Sequence, residues 1–498
     1  MFFFYLLSGL FLGWSLGAND TGNIFGAAVE TRMLKFKKAA LIAAIFITLG
    51  AVFEGSGPSN TLGRLGSMDA LGGAFTVALA AALTITLIVR IGIPVSTSQT
   101  IVGAIIGWNL FTGRLTDYSS LITIASSWVM AFVLSASIAA ILFHLVKPII
   151  NRSRTHLLVQ DLMIRYALIV VGAFGAYSLG ANNIANVVGV FVPVSPFKDL
   201  VLSSKITISG LQQLYLLGAL SIVVGIYTYS HKVMRTVGKD LFHLSPITAL
   251  VALSAEAIVL FIFASRGLYN ILLNSGLPTI PLVPVSSTQV IVGAVVGIGL
   301  AKGGKNIRYN ILGRISLAWI AAPVLAALIS FILLFIIQNV FEQKVYQDTR
   351  YIFDRKSITK ISEEGFDISC LSTVNGRTFT TEREIYQELS AQRSLGRDEI
   401  IRIIRLAEIH RLKVDYDKLM ATGMDKSFST AQLARLEAIN ERTYNHKWQL
   451  DADLAQEQEF EYYEEAASER EKNHNQILEG KLNILYRAFA IEDKSKKR

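Results

Sequence analysis

The sequence predicts an all-α polytopic membrane protein with an inverted-topology repeat, broken or re-entrant helices, and an additional hydrophilic, mostly α-helical C-terminal domain. Three observations support this fold class: charge changes sharply near residue 340, apolar stretches recur before that point, and two pairs of motifs are repeated. Together they predict a first membrane repeat at 1–155, a second at 156–340 and a hydrophilic domain at 341–498.

Charge is distributed unevenly along the 498 residues. Residues 1–340 contain 21 Lys and Arg but 9 Asp and Glu, whereas residues 341–498 contain 26 and 29. The charged fraction of the first part is far below the roughly 25% that is usual in soluble domains. An excess of basic residues in such an apolar region is typical of cytoplasmic loops and argues against a nucleic-acid partner.

Apolar stretches long enough to cross the ~30 Å hydrocarbon core of a bilayer recur along the first part. They occupy approximately 2–18, 39–54, 71–91, 120–146, 161–179, 212–230, 246–265 and 311–338. Between them lie segments interrupted by Gly and polar residues, at 20–30, 93–111, 181–193 and 284–301. Irregular backbone at membrane depth must be buried in protein or line a wet cavity, so we expect half-helices and a binding site there.

Basic residues in four predicted loops indicate the orientation in a cell membrane. These clusters are Arg32, Lys35, Lys37 and Lys38; Lys147, Arg152 and Arg154; Lys232, Arg235 and Lys239; and Lys302, Lys305 and Arg308. All four are cytoplasmic if each interrupted segment and its neighbour make one net crossing. The two repeats then have opposite orientations, and both termini lie on the external side.

The interrupted segments contain an internal repeat. Residues 94–110 read PVSTSQTIVGAIIGWNL and residues 284–300 read PVSSTQVIVGAVVGIGL, with 10 of 17 positions identical. Residues 15–29 read SLGANDTGNIFGAAV and residues 178–192 read SLGANNIANVVGVFV, with 8 of 15 identical. If each of the two duplicated halves crosses the membrane an odd number of times, the halves have opposite orientations and form an inverted repeat. In such a repeat, discontinuous helices of both halves meet at a site near the midplane of the membrane. Close packing explains Gly103, Gly107, Gly293 and Gly297, but it does not explain two Pro-Val-Ser segments.

The Pro-Val-Ser segments have the features of helix N-termini. Pro is favoured in the first turn of a helix, and Ser and Thr are favoured N-caps. A helix N-terminus offers open N–H donors and about half a positive charge, which suits an oxyanion. Two such ends related by inversion can hold a tetrahedral anion through N–H and hydroxyl groups. The hydroxyls available for this are those of Ser96, Thr97, Ser98, Ser286, Ser287 and Thr288.

The other motif pair offers oxygen ligands for a cation. Asp20 and Asn23 lie in a Gly-rich stretch that we expect to be unwound, and Asn183 and Asn186 occupy the matching positions. Hard cations take carboxylate, amide and carbonyl oxygens. An acid within a membrane is costly, which indicates a function for Asp20. Glu256 lies in another apolar stretch and is either an ion or proton ligand or a partner of a neighbouring helix.

GANDTGNIFG, GANNIANVVG and the two PVS-[TS]-[ST]-Q-x-IVGA segments resemble the motifs of the inorganic phosphate transporter family. The resemblance covers about residues 1–340. It implies a secondary transporter that imports inorganic phosphate together with Na⁺ or H⁺. It also implies that the Ser and Thr residues of both Pro-Val-Ser segments bind phosphate, and that Asp20 and Asn183 lie on the ion and substrate path.

The predicted site has two sets of ligands. The phosphate ligands are Ser96, Thr97, Ser98, Ser286, Ser287, Thr288, Asn19 and Asn182. The ligands of the coupling ion are Asp20, Asn23, Asn183, Asn186, Gln99 and Gln289, with Na⁺ as the metal and no other cofactor. We also expect a homodimer in the lipid bilayer.

The sequence departs from the family pattern in ways that leave alternatives open. Asn183 stands where many members carry a second Asp, and Gln99 and Gln289 stand where many carry His. Fewer titratable groups favour Na⁺ over H⁺. A permease for sulfate or another tetrahedral oxyanion is an alternative with the same fold, and a cation exchanger or channel is an alternative of another class. Without a nucleophile–base pair or a metal-ligand cluster, an enzyme has no support.

Residues 341–498 carry no motif of this kind. Apolar positions at helical spacing predict a helix, and they are Ile400, Ile401, Ile404, Leu406, Ile409 and Leu412. Short strands are expected within 349–385. We interpret this part as a solvated appendage with a regulatory or dimer-supporting role.

Overall fold

The structure is a computed structural model that describes residues 2–66, 68–152, 156–203, 206–231, 244–304, 309–391, 395–421, 425, 428–463 and 469–491. The chain forms two compact units, Met1–Gln347 and Asp348–Arg498. Several basic residues of the predicted loops lie outside the described residues, namely Arg154, Lys232, Arg235, Lys239, Lys305 and Arg308.

Apolar α-helices form most of the first unit. They are α1 (Phe2–Glu30), α2 (Phe36–Glu54), α3 (Ser56–Leu65), α4 (Leu71–Arg90), α5 (Thr97–Thr112), α6 (Tyr118–Arg152), α7 (Leu157–Val188), α8 (Gly210–Gly225), α9 (Pro246–Ile262), α10 (Arg266–Asn274), α11 (Ser287–Ala301) and α12 (Tyr309–Asn339). A 3₁₀ segment, Gly189–Val194, extends α7, and a π-helical segment, Ile226–Ser230, extends α8. Strands β1 (Leu200–Ser203) and β2 (Ile206–Ile208) form an antiparallel hairpin.

Many of these helices are long and apolar enough to cross a bilayer. In the described part of the chain there are seven, or eight if α9 and α10, which meet at a bend of 66°, form one span. Each predicted apolar stretch coincides with one of them. The chain is therefore a mostly helical, multi-pass membrane protein, as predicted.

The predicted breaks at 20–30 and 181–193 are wrong, because helical backbone continues through both GAN motifs. The glycines of these motifs allow close packing instead of unwinding. A Cβ on Gly17 would lie 2.1 Å from the carbonyl O of Ile222, and a Cβ on Gly180 would lie 2.1 Å from that of Ile47. The glycines of the two motifs therefore mark the close approach of a neighbouring helix and not a break in the helical backbone.

The two Pro-Val-Ser segments do interrupt the helical backbone. Each is followed by a short helix, α5 with 16 residues and α11 with 15, whereas a span needs about 20. The predicted N-caps are confirmed. Ser96 Oγ accepts a hydrogen bond from Gln99 N at 3.2 Å, and Ser286 Oγ accepts one from Gln289 N at 3.2 Å.

Helices of the two halves pack against each other in a reciprocal pattern. Helix α5 packs along α12 and α11 along α6, while α1 packs along α8 and α7 along α2. The predicted small-residue contacts lie in these interfaces. A Cβ on Gly103 would lie 2.1 Å from Pro323 O, and one on Gly297 would lie 2.0 Å from Ala136 O. Each short helix is thus supported by a long helix of the other half.

The second unit contains short helices, two pairs of short antiparallel strands and a core of its own. Its helices are α13 (Arg355–Glu363), α14 (Glu382–Ser390), α15 (Arg397–Ala407), α16 (Tyr416–Ala421), α17 (Thr430–Ala438), α18 (Lys447–Leu454) and α19 (Glu469–Phe489), with 3₁₀ turns at Ile368–Leu371 and Gln458–Phe460. Strand β3 (Tyr351–Ile352) pairs with β4 (Thr378–Phe379), and β5 (Leu412–Lys413) pairs with β6 (Thr443–Tyr444), both antiparallel.

Two predicted helical positions in this unit, Ile409 and Leu412, are wrong. Leu412 belongs to β5, because α15 ends at Ala407 and Glu408 adopts extended backbone angles. Leu412 is still buried, in a core that includes Leu450 and Leu485. The spacing of Leu412 therefore correctly indicated a buried side chain, but this residue is buried from a strand and not from a helix.

Candidate functional site

The predicted ligand residues come together at one buried location in the first unit. Helices α1 and α7 supply the Asn and Asp side chains, and the first turns of α5 and α11 supply Ser, Thr and Gln. Every one of these side chains is at most 7% exposed: Asn19, Asp20, Asn23, Ser96, Thr97, Ser98, Gln99, Asn182, Asn183, Asn186, Ser286, Ser287, Thr288 and Gln289. The whole predicted set is thus enclosed by protein.

The carboxylate of Asp20 connects three helices. Thr97 Oγ1 donates a hydrogen bond to Asp20 Oδ2 at 2.9 Å, and Asn183 Nδ2 donates to the same oxygen at 3.4 Å. Asn19 Nδ2 donates to Asp20 Oδ1 at 2.7 Å and to the carbonyl of Val95 at 3.0 Å. The first GAN motif, its counterpart on α7 and the start of α5 therefore meet at one acid.

Equivalent hydroxyls of the two Pro-Val-Ser segments form reciprocal contacts. Ser98 Oγ donates to the carbonyl of Val285 at 3.1 Å, and Thr288 Oγ1 donates to the carbonyl of Val95 at 3.1 Å. Ser98 and Thr288 are matching positions of the repeat, as are Val95 and Val285. Each short helix therefore begins against the extended residues that precede the other.

Asn23 and Asn186, at matching positions of the two GAN motifs, each reach the Pro-Val-Ser segment of the other half. Asn186 Nδ2 donates to Ser98 Oγ at 2.8 Å, while Asn23 Nδ2 donates to Ser287 Oγ at 3.0 Å and to Thr288 Oγ1 at 3.4 Å. These contacts add to the cross-half packing. A movement that separates the halves must break them.

Asn182 has a different role in the structure. Its Oδ1 accepts a hydrogen bond from Val285 N at 2.9 Å, and its Nδ2 donates to the carbonyl of Val283 at 3.0 Å. Both hydrogen-bonding groups of the side chain are thus used to hold the extended residues before α11. Asn182 fixes the start of the helix that carries the predicted anion ligands.

Hydrogen-bond donors at both short helices lack acceptors. Within the described residues, the backbone N–H groups of Thr97, Ser98, Ser287 and Thr288 donate no hydrogen bond. The capping hydroxyls of Ser96 and Ser286 accept from the backbone but donate to none of the described groups. Open N–H groups at a helix N-terminus form a favourable position for an anion.

Oxygen acceptors around the same location lack donors. Among the described residues, the buried acceptors without a partner include Gln99 Oε1, Gln289 Oε1, Asn183 Oδ1, Asn186 Oδ1 and Glu256 Oε2. Leaving such an atom unsatisfied costs about 1–3 kcal/mol. A hard cation takes carboxylate and amide oxygens, so these atoms are suited to one.

Glu256 also belongs to this site, whereas the sequence alone left its role open. Its side chain is 0% exposed, and its Oε1 accepts a hydrogen bond from Ser287 Oγ at 2.7 Å. The sequence signal was an acid within an apolar stretch. The contact with Ser287, 31 residues further along the chain, was not accessible from that pattern.

Comparison with known proteins identifies the family of the chain. The sequence profile of the phosphate transporter family matches residues 16–330 and again residues 276–434. A provisionally named phosphate permease of Methanocaldococcus jannaschii is 28% identical over 328 residues, covering 66% of this chain and 95% of that protein. A similarly named protein of Haemophilus influenzae is 25% identical, covering 67% of this chain and 96% of its own.

A solved structure shares the fold. The sodium-dependent phosphate transporter has a TM-score of 0.55 to this chain at 22% sequence identity, covering 68% of this chain and 98% of its own. The matched family consists of transporters and not of enzymes. Because its profile matches more than half of the chain, this protein belongs to the phosphate transporter family, as its four motifs predicted.

Proposed function

We propose that this protein imports inorganic phosphate across the cell membrane by Na⁺ symport. One observation carries the proposal: unpaired donors and unpaired oxygen acceptors occur together in a buried site built from both halves. A phosphate ion needs donors, and Na⁺ needs oxygens. A site that offers both sets within one network of hydrogen bonds is suited to binding the two ions together.

Phosphate is bound at the starts of α5 and α11. The open N–H groups of Thr97, Ser98, Ser287 and Thr288 and the hydroxyls of Ser96 and Ser286 are its donors. The partial positive charge of two helix N-termini favours the anion without an arginine. Asn19 and Asn182 act indirectly, since each hydrogen-bonds the extended backbone before a short helix.

Na⁺ is bound next to the phosphate by Asp20, whose oxygens also accept hydrogen bonds, together with the oxygens that lack donors. Asp20 supplies the charge, and Asn183, Asn186, Gln99 and Gln289 supply neutral oxygens. Asn23 contacts Ser287 and thereby connects α1 to α11. Gln99 and Gln289 cannot gain or lose a proton, so neither side chain can relay one. This supports Na⁺ over H⁺ as the coupling ion.

Transport takes place by alternating access in an inverted-topology repeat. Two observations support a two-fold relationship between the halves. Their motifs match, and the short helix of each half packs on a long helix of the other, α5 on α12 and α11 on α6. In that architecture, one part moves against the other around a fixed midplane site. We further propose that both termini lie outside and that the protein is a homodimer.

Uptake of radiolabelled phosphate into proteoliposomes, with the Na⁺ and pH gradients varied independently, tests this function. We expect an inward Na⁺ gradient to drive uptake at equal pH, and arsenate to compete because its shape and charge are those of phosphate. Uptake driven by a pH gradient without Na⁺ would show H⁺ coupling. Inhibition by sulfate but not by arsenate would identify a sulfate permease, and currents independent of any oxyanion would identify a cation channel.

A further inference from the structure

Two lysines near the ends of α6 and α11 face the same aromatic ring. The ammonium of Lys147 lies 5.2 Å from the centroid of the Phe143 ring, and that of Lys302 lies 5.5 Å from it. Phe143 is buried, whereas both lysines are exposed. Both distances are within the ~6 Å range of a cation–π contact. Two ammonium groups that share one ring repel each other.

The pairing of the lysines follows from the way α6 and α11 pack. A Cβ on Gly293 would lie 2.5 Å from Phe132 O, and a Cβ on Gly297 would lie 2.0 Å from Ala136 O. Because these contacts advance by four residues along both helices, α6 and α11 run parallel to each other. Their ends therefore lie together, which brings the two lysines to the same ring.

Among the described residues, no carboxylate neutralises this pair. Residues 118–160 and 257–341, which include both helices and the chain that follows each, contain no Asp or Glu. Within the described part of the chain, neither ammonium forms an ion pair or donates a hydrogen bond. The last carbonyls of α11 accept from the backbone N–H of Lys302. The two side chains thus present positive charge that awaits a counter-charge.

The surrounding surface of α6 faces lipid. Ile141, Leu145 and Ile149 are 60%, 55% and 69% exposed, and they lie in the C-terminal part of a span. Since they are four residues apart, they form one apolar stripe along the helix. Long basic side chains near the end of such a span reach the boundary between hydrocarbon and headgroups. Lys147, between Leu145 and Ile149, therefore lies at the depth of lipid headgroups.

We propose that Lys147 and Lys302 bind the headgroup of an anionic phospholipid. Basic pockets between membrane helices bind such headgroups on the cytoplasmic side, the side predicted for both loops. The lipid phosphate supplies the negative charge that the protein lacks here, and the acyl chains cover the apolar stripe of α6. Because Lys302 directly follows α11, the lipid also fixes to α6 the end of a helix whose first turn belongs to the candidate site.

Binding of phosphatidylglycerol to the purified full chain, counted by native mass spectrometry, tests this site. We expect the dissociation constant to rise about fivefold in Lys147→Gln and in Lys302→Gln, and about twenty-five-fold in the double variant, because each basic residue contributes separately to binding. Lys147→Arg keeps the charge and should bind as the wild type does. Lys37→Gln is the matched control, since it removes one charge from an exposed position in another predicted cytoplasmic loop.

Hydrogen exchange in lipid nanodiscs provides a second, structural readout. Peptides from the end of α11 should exchange more slowly in discs of phosphatidylcholine with phosphatidylglycerol than in discs of phosphatidylcholine alone. The wild type and Lys37→Gln should both show this difference, and the double variant should not. The lysines are exposed, so the double variant should keep the wild-type yield and size-exclusion profile.

Two results would overturn the lipid site. One is an unchanged dissociation constant for phosphatidylglycerol in the double variant. The other is displacement of the lipid from the wild type by inorganic phosphate, which would show that the lysines bind the free anion. Neither measurement uses an ion gradient, so failure of the lipid site and failure of the proposed Na⁺ symport remain distinguishable.

Discussion

Thr97 donates a hydrogen bond to Oδ2 of Asp20 across 2.9 Å, and this contact joins the start of α5 to the middle of α1. Asn183 on α7 donates to the same oxygen at 3.4 Å. A cation bound by this carboxylate would therefore change contacts that involve both halves of the unit. Differential contacts of this kind are what a ligand needs to shift a conformational equilibrium.

The first prediction concerns the charge of Asp20. Asp20→Asn should reduce Na⁺-driven phosphate uptake to background, because Asn can still accept from Thr97 but cannot neutralise Na⁺. Protein yield and the size-exclusion profile should be unchanged, since Asn fits the same space. Asp161→Asn is the control, because Asp161 is exposed and pairs with Arg165, a contact worth about 0–1 kcal/mol. Uptake at the wild-type rate in Asp20→Asn would refute a coupling role.

The second prediction concerns the two capping hydroxyls. Ser96→Ala combined with Ser286→Ala should raise the apparent phosphate constant, because both hydroxyls are donors to the anion in our proposal. Each substitution also removes a confirmed N-cap, which costs about 1 kcal/mol of stability. Uptake kinetics and thermal unfolding in detergent measure the two effects.

Ser209→Ala separates these effects. Ser209 caps α8 by accepting from Gln212 N at 3.2 Å, and it is not among the predicted ligands. The Ser209→Ala variant should lose about as much stability as either of the substitutions at Ser96 and Ser286 alone, while its apparent phosphate constant stays at the wild-type value. If the Ser96 and Ser286 variant shows only the stability loss, its hydroxyls do not bind phosphate.

Local features of the sequence were predicted well because their causes are local. Apolar length gave the spans, and the Ser residues after Pro94 and Pro284 gave the helix starts. The unwinding expected after Gly17 was wrong because the reason for the glycine is the backbone of Ile222, more than 200 residues away. The place of Glu256 depends in the same way on a tertiary contact with Ser287. Long-range contacts leave no periodic signal in one sequence.

The third prediction concerns the interfaces of the short helices. Gly297→Ala should destabilise the first unit by about 1–3 kcal/mol, because the new Cβ would lie 2.0 Å from Ala136 O and must push two helices apart. Gly313→Ala on α12 is the matched control, since its Cβ meets nothing within 4 Å. That variant should be neutral or slightly more stable, given the helix propensity of Ala. Equal melting temperatures for the two variants would contradict this explanation of the repeated glycines.

The last prediction concerns pH and the second unit. Burial raises the pKa of Asp451 from 3.8 to about 6, although Tyr486 donates to its carboxylate and Lys447 lies near. Between these values the folded unit binds a proton that the unfolded chain does not, so stability must fall as pH rises from about 4 to about 6 and then level off. Hydrogen exchange in peptides covering Lys447–Leu454, followed across this range, measures the effect. Asp451→Asn should flatten the profile and Glu388→Gln, at a half-buried surface pair with Arg377, should not; an unchanged slope in Asp451→Asn would exclude Asp451 as its origin.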